Sequence, residues 1–262
     1  MMKLVVLISC MHQTDHSIIN RSNVQTDAIV INQCDKDDVE EYDFLNRIGN
    51  NCHVKFISTK ERGLSCSRNM AIKYAWGDVL YMCDDDELLD DNFEKIILDA
   101  YKNRPREDVI IFSIIRKGHS YPNTEGKVSL SQILRTSSVQ TTFKRQRVVE
   151  NNILFDEKMG SGTGNGAGEE NKFLMDCRRK GLKMYYVPSI IATVKSENSQ
   201  WFSGFDKKYF IDTFWAARRI LGAPLGFFYL FYWCLYRSRH FKIEMSKLQM
   251  LKYSLTGFFE RR

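Results

Sequence analysis

The sequence contains no Cys-x-x-Cys pair, no nucleic-acid-binding motif, no phosphate loop with its lysine, and no uncharged run long enough to cross a bilayer. Each absence removes a class of function. The seven cysteines (Cys10, Cys34, Cys52, Cys66, Cys83, Cys177 and Cys234) are odd in number and scattered. They read as small core residues in a reducing compartment, not as a disulfide frame or zinc site. A formal charge of +6 over 262 residues suits an anionic ligand or a membrane surface and is too small to argue for nucleic acid. The uncharged stretch Ile220–Tyr236 stops short of the roughly 20 residues that a spanning helix needs, and Gly222, Pro224 and Gly226 interrupt it. Five glycines fall within residues 159–168, yet no apolar strand leads into them, so they read as a mobile lid and not a P-loop.

What is present is globular: 44% apolar and 27% charged residues, enough chain for one large domain or a core with an appendage. Leu4–Ile8, Ala28–Ile31, Val54–Ile57 and Val79–Cys83 are short runs of apolar residues separated by longer polar or helical segments. That pattern predicts an α/β fold with a mostly parallel sheet covered by helices on both faces. The Leu4–Cys10 run is at the lower limit for a secretion signal and has almost no basic lead-in, so it reads as the first strand. Further strands are expected at Val109–Ile115, Val139–Phe143, Met184–Val187 and Ile190–Val194, with helices over 91–102, 129–134 and 169–180. Ser9, Asn32 and Gln33 fall at strand ends, where hydrogen-bonding side chains would line one crevice.

The fourth strand ends in Asp84, Asp85, Asp86 and Glu87. Adjacent carboxylates repel one another unless a cation or protons neutralise them, so the run is either a divalent-ion site or a solvated acidic turn. Upstream, Ser65 or Ser67 would cap a helix carrying Met70, Ala71, Tyr74 and Ala75 inward and ending at Gly77. Arg68 and Asn69 would then occupy its first turn, beside free N–H groups, with a phosphate or a structural ion pair as the arginine's partner. The glycine run delivers Glu169 and Glu170 onto a helix. Two carboxylates in a first turn satisfy the helix dipole, and a glutamate fixed there is also well placed to act as a general base. Beyond residue 200 the character changes. On a helix over 220–236, Tyr229, Tyr232, Trp233 and Tyr236 share one face, and Phe228, Phe231 and Leu235 another. With a basic tail behind it, the segment either lies on an anionic membrane surface through residues 220–262 or packs on the domain.

Gly63-Leu-Ser-Cys-Ser-Arg-Asn-Met-Ala-Ile, then Gly77-Asp78 running into Asp84–Asp86, and Phe155-Asp-Glu followed by Gly168-Glu-Glu-Asn-Lys-Phe173 resemble the family 2 glycosyltransferases of the GT-A fold. The likeness spans about residues 3–190. It implies a catalytic domain over 1–200, its nucleotide-sugar-binding half at about 1–115 and acceptor half at about 116–200, with a helical extension over 201–262. It also implies a nucleoside-diphosphate-sugar donor whose diphosphate is bridged to the acidic triplet by Mn2+ or Mg2+. Asp86 would be the metal ligand, Asp84 and Asp85 would approach the ribose or metal-bound water, Arg68 would contact the nucleotide, and Glu170 would be the base of an inverting transfer. Where the family often carries aspartates that read the base, this chain has Asn32-Gln33, and an amide can also read uracil. A late histidine ligand is absent, with Thr193-Val-Lys195 in its place. The implied acceptor is a saccharide or lipid-linked saccharide of a bacterial surface polysaccharide, on the cytoplasmic face of the membrane. Two rival readings are a sugar-phosphate nucleotidyltransferase and a non-enzymatic cation-binding protein.

Overall fold

A computed structural model of the chain describes residues 2–165, 168–195 and 204–262. In chain order the elements begin with β1 (Leu4–Met11), α1 (Ile18–Arg21), β2 (Asp27–Gln33), β3 (Asp38–Leu45), β4 (Asn51–Thr59) and α2 (Leu64–Tyr74). They continue with β5 (Val79–Asp84), β6 (Glu87–Leu89), α3 (Phe93–Asn103), β7 (Val109–Ile115), β8 (Gly126–Lys127), α4 (Leu130–Ile133), a 3-10 turn at Ser138–Gln140, β9 (Thr141–Lys144) and α5 (Arg145–Glu150). The last are α6 (Glu169–Arg179), β10 (Met184–Val194), α7 (Lys207–Leu221), α8 (Ala223–Leu235) and α9 (Lys247–Phe259).

The strands form one sheet in the order β3-β4-β2-β1-β5-β9-β7-β10-β6, with β8 on β10. The half from β4 to β5 is parallel, as the apolar runs predict, because each of those strands is buried on both faces. Beyond β5 the sheet is mixed: β9 runs antiparallel to both β5 and β7, and β6 and β8 are antiparallel to β10. Strand alternation sends Val5, Leu7, Leu80 and Met82 to one core under α2 and α6, and Leu4, Val6, Ile8 and Tyr81 to the other under α3. The segments Met184–Val187 and Ile190–Val194 are a single strand with register shifts against β7. No expectation covered β3; its acidic residues face solvent at the sheet edge, a composition that blunts an edge against further pairing.

The chain reaches β2 on one side of β1 and later returns to β5 on the other, which makes the gap between the carboxyl ends of β1 and β5 the point where strand order reverses. Open α/β sheets bind ligands at such a point. Ser9 pairs in register with Asp84 there.

The C-terminal segment is not one helix over 220–236. Gly222, at φ 79°, breaks it into α7 and α8, which with α9 bury Phe210, Phe214, Trp233, Met250 and Phe258 in a cluster of their own. Of the aromatics expected to share one face, Trp233 is buried in this cluster while Tyr232 and Tyr236 are exposed. Among the described residues no helix is long and apolar enough to cross a membrane. Trp201 and Phe202, where the change of character was expected, lie outside the described residues.

Candidate active site

Helix α2 begins at Leu64 with Gly63 as its cap, at φ 111°, not at Ser65 or Ser67. Both serines are buried and serve tertiary bonds instead: Ser65 Oγ donates to the Met159 carbonyl at 2.8 Å, and Ser67 Oγ donates to Ser9 Oγ at 2.9 Å. The earlier start moves Arg68 from the first turn to the second, where it is 2% exposed. Its guanidinium is the centre of the site. Nη1 donates to Glu169 Oε1 at 2.9 Å, and Nη2 donates to Asp84 Oδ1 at 3.1 Å and to Ser138 Oγ at 2.8 Å. Burial opposes the charge of Arg68, and the carboxylates of Asp84 and Glu169 more than offset it, so the side chain stays protonated.

Packing fixes the helix that carries the two glutamates. Phe173 stacks on Phe155 at 4.4 Å and tilts against Phe143, contacts of about 0.5–1.5 kcal/mol each beyond burial alone. Glu169 and Glu170 then face different surroundings. Glu169 is buried against Arg68 and accepts from the Gly168 N–H at 3.1 Å, while the Gly160 backbone, at φ 92°, approaches so closely that a Cβ there would lie 2.9 Å from the Glu169 carboxyl carbon. Glu170 is half-buried and has no ion pair with the described residues. Burial, and then the neighbouring charge of Glu169, push its pKa up to about 8.

At the strand end, the Asp84 carboxylate is held by Arg68 and Ser138. Asp85 is raised above the usual carboxylate range by burial and by the charges of Asp84 and Asp86. No cation among the described residues pairs with Asp85 or Asp86. Glu87 does not emerge with them: it opens β6 and is 0% exposed, and neither carboxyl oxygen has a hydrogen-bond partner. Burial and the charge of Asp84 raise its carboxyl well above the ordinary value, and it lies in the core, apart from the acidic turn. No group of three or more His, Cys, Asp or Glu among the described residues forms a ready metal cage. A small hard cation is normally held by one or two carboxylates plus substrate phosphates. Two unpaired carboxylates at a strand end fit that donor set. Lys195, in the place of the late histidine, is occupied elsewhere: its N–H donates to the Asp86 carbonyl at 2.9 Å, and its Nζ to the Arg21 carbonyl at 2.8 Å.

The structure places three of the expected nucleotide-contacting residues in bonds within the chain. Asn32 is 0% exposed, its amide spent on both backbone groups of Gln13 and on Ser58. Gln33 is 4% exposed and bonds both backbone groups of Gly63. Asn69 exchanges hydrogen bonds with the Phe155 backbone and donates to Glu157, tying α2 to the turn before the glycine run. Of that run, residues 166 and 167 lie outside the description. The part before them is bonded to α2, with the Leu64 N–H donating to the Ser161 carbonyl at 3.0 Å. Ser138 is a site residue that sequence reasoning missed; nothing local to a serine before a short strand signals it.

A sequence model of glycosyl transferase family 2 matches residues 9–163, more than half of the chain. The chain belongs to that family. Membership sets aside the nucleotidyltransferase and cation-binding readings. No curated protein matches the chain. Among solved structures, S. aureus TarS 1–349 in complex with UDP-GlcNAc is 17% identical, at a TM-score of 0.66 over 98% of this chain and 79% of that one. The mannosyltransferase PcManGT from Pyrobaculum calidifontis, in complex with GDP-Man and Mn2+, is 11% identical at a TM-score of 0.55 over 96% and 73%. At these identities the likeness shows the fold, which is GT-A.

Proposed function

We propose that this glycosyltransferase moves a sugar, with inversion, from a nucleoside-diphosphate donor to an acceptor hydroxyl, and that Glu170 is its base. The observation that carries the reading is the contrast between the two glutamates. Glu169 is neutralised by Arg68, whereas Glu170 sits unpaired with a pKa of about 8, close to where a general base works best. In the reaction Glu170 takes the acceptor's hydroxyl proton as that oxygen bonds to the anomeric carbon. The bond from that carbon to the diphosphate breaks with its electron pair on the departing oxygen. Asp86, with Asp84 or Asp85 beside it, would hold a divalent ion, Mn2+ or Mg2+, which supplies positive charge to the leaving diphosphate. Arg68 acts through Asp84, as a positioning residue.

The relatives' complexes with UDP-GlcNAc and with GDP-Man and Mn2+ support a nucleotide-sugar donor and a metal. The tail supports a membrane-bound acceptor. On α8, Leu225, Phe228, Tyr232 and Leu235 recur at helical spacing and are each at least half exposed. Seven basic residues face two acidic ones between 237 and 262. Such a surface suits the headgroups of an anionic leaflet, and hence a lipid-linked saccharide acceptor on the cytoplasmic face, with residues 1–200 as the catalytic domain. The decisive experiment is Glu170→Gln: nucleotide binding should persist while transfer falls by roughly 100-fold or more. Retained transfer overturns the assignment.

A further inference from the structure

Outside the donor crevice, a cavity of about 380 Å3 opens over β7 and β10, floored by Ile111, Val128 and Tyr186. Its far wall is the 119–122 loop, and its near wall is the strap from Ser131 to Thr136. That near wall is fastened to the base-bearing helix. Asn171, the residue after Glu170, donates to the Ile133 carbonyl at 2.7 Å and to the Thr136 carbonyl at 2.9 Å. Gln140, which also lines the cavity, is two residues from the Ser138 that bonds Asp84. The cavity therefore lies across β9 from the donor crevice, with one wall bonded to the helix that carries Glu170.

Most polar groups lining it are already committed. Gln132 caps α4, Thr136 Oγ1 donates to the Gln132 carbonyl, Gln140 Nε2 donates to the Phe112 carbonyl, and Tyr186 Oη donates to the Pro122 carbonyl. The one cationic side chain left is the Arg135 guanidinium, exposed and without an ion pair among the described residues, with the Ser120 and Tyr121 hydroxyls and His119 on the opposite wall. Among the described residues no carboxylate lines the cavity. A concave site with an apolar floor and one free guanidinium selects ligands by a negative charge, since a planar fork of donors matches a carboxylate or phosphate.

We infer that this cavity is the acceptor subsite and that Arg135 selects an acceptor saccharide bearing a phosphate or carboxylate. The inference rests on the transfer reading and adds the charge of the acceptor to it. The test is calorimetry on the full chain with Mn2+ and UDP bound, using glycerol 3-phosphate and glucuronate as anionic probes and glycerol and glucose as neutral ones. The anions are expected to bind at least roughly 10-fold more tightly, the usual worth of a charge-assisted hydrogen bond. Whichever anion binds more tightly separates phosphate from carboxylate. Arg135→Gln removes the preference while UDP affinity stays unchanged, and Arg135→Lys retains part of it. Absence of anion binding, or a preference that survives Arg135→Gln, overturns the proposal. Failure to bind UDP counts against the transfer reading instead, so the two fail separately.

Discussion

Glu169→Gln separates the two glutamates most sharply. The Glu169 carboxylate is 7% exposed and its partner Arg68 2%, and their atoms are 2.9 Å apart. Removing one charge of a buried pair typically costs about 3–5 kcal/mol. Here the amide oxygen can still accept from Nη1, and Asp84 and Ser138 remain, so the loss should sit at the low end, about 3 kcal/mol, readable by chemical denaturation. The same change acts on Glu170, whose pKa of about 8 comes first from burial and second from the charge of Glu169. Without that charge, and with Arg68 still present, the pKa falls. The ionised form is the base, so the parent's kcat/KM should rise with pH towards about 8, and the variant's rising limb should move to lower pH. Stability follows the opposite sign. A carboxyl held above its ordinary 4.5 gives its full contribution below that pH and loses it as pH climbs to about 8, so the parent weakens across this window and the variant weakens less. A variant with the parent's stability and nucleotide affinity but no transfer would make Glu169 the base and sink the assignment to Glu170.

Gly160→Ala places a Cβ 2.9 Å from the Glu169 carboxyl at a φ of 92°, and should cost about 2 kcal/mol or more in thermal or denaturant unfolding. An unchanged midpoint refutes the close packing of that backbone on Glu169. Asp86→Ala, or excess chelator, should abolish transfer and the Mn2+-dependent part of nucleotide affinity; full turnover in EDTA removes the metal from the proposal. Phe228→Ser with Tyr232→Ser should lower flotation with anionic liposomes without lowering stability, because both side chains are exposed, at 74% and 50%. Equal flotation of variant and parent defeats the membrane surface.

The parallel half of the sheet is legible in the sequence because strands buried on both faces must be apolar throughout, and Leu4–Ile8 and Val79–Cys83 carry that signal without help from the rest of the chain. The acidic strand end and the helix after the glycine run are legible for the same local reason. What composition cannot carry is the use to which a polar side chain is put. Asn32 and Gln33 have the chemistry to read a base, but backbone groups of Gln13 and Gly63 reach them first. Ser65 and Ser67 have the chemistry to cap a helix, and the glycine before them does so at positive φ, leaving both hydroxyls for long-range bonds. Glu87 belongs to the acidic run by sequence and to the core by the reversal into β6. In each case a partner distant in sequence decides, and local pattern does not encode it.

The chemistry of the site follows from an uneven sharing of one positive charge among neighbouring carboxylates. Arg68 reaches Asp84 and Glu169, from segments 16 and 101 residues away, and holds both in place. It pairs with neither Glu170 nor Asp86. Glu170 is then a half-buried carboxylate with no ion pair among the described residues, and burial together with the charge of Glu169 raises its pKa to about 8. Asp85 and Asp86 stay at the open end of the strand, where burial and the neighbouring charges of Asp84 and Asp86 raise the Asp85 carboxyl and where, on the proposed reading, a cation would relieve the repulsion. Carboxyl groups of one chemical type thereby meet different environments, and on the proposed reading these suit them to separate roles as anchor, base and cation ligand. Since Asp84 and Glu169 hold the strand end and the start of α6 to the same guanidinium, the parts proposed to handle the donor's diphosphate and the acceptor's proton are tied together and cannot shift independently.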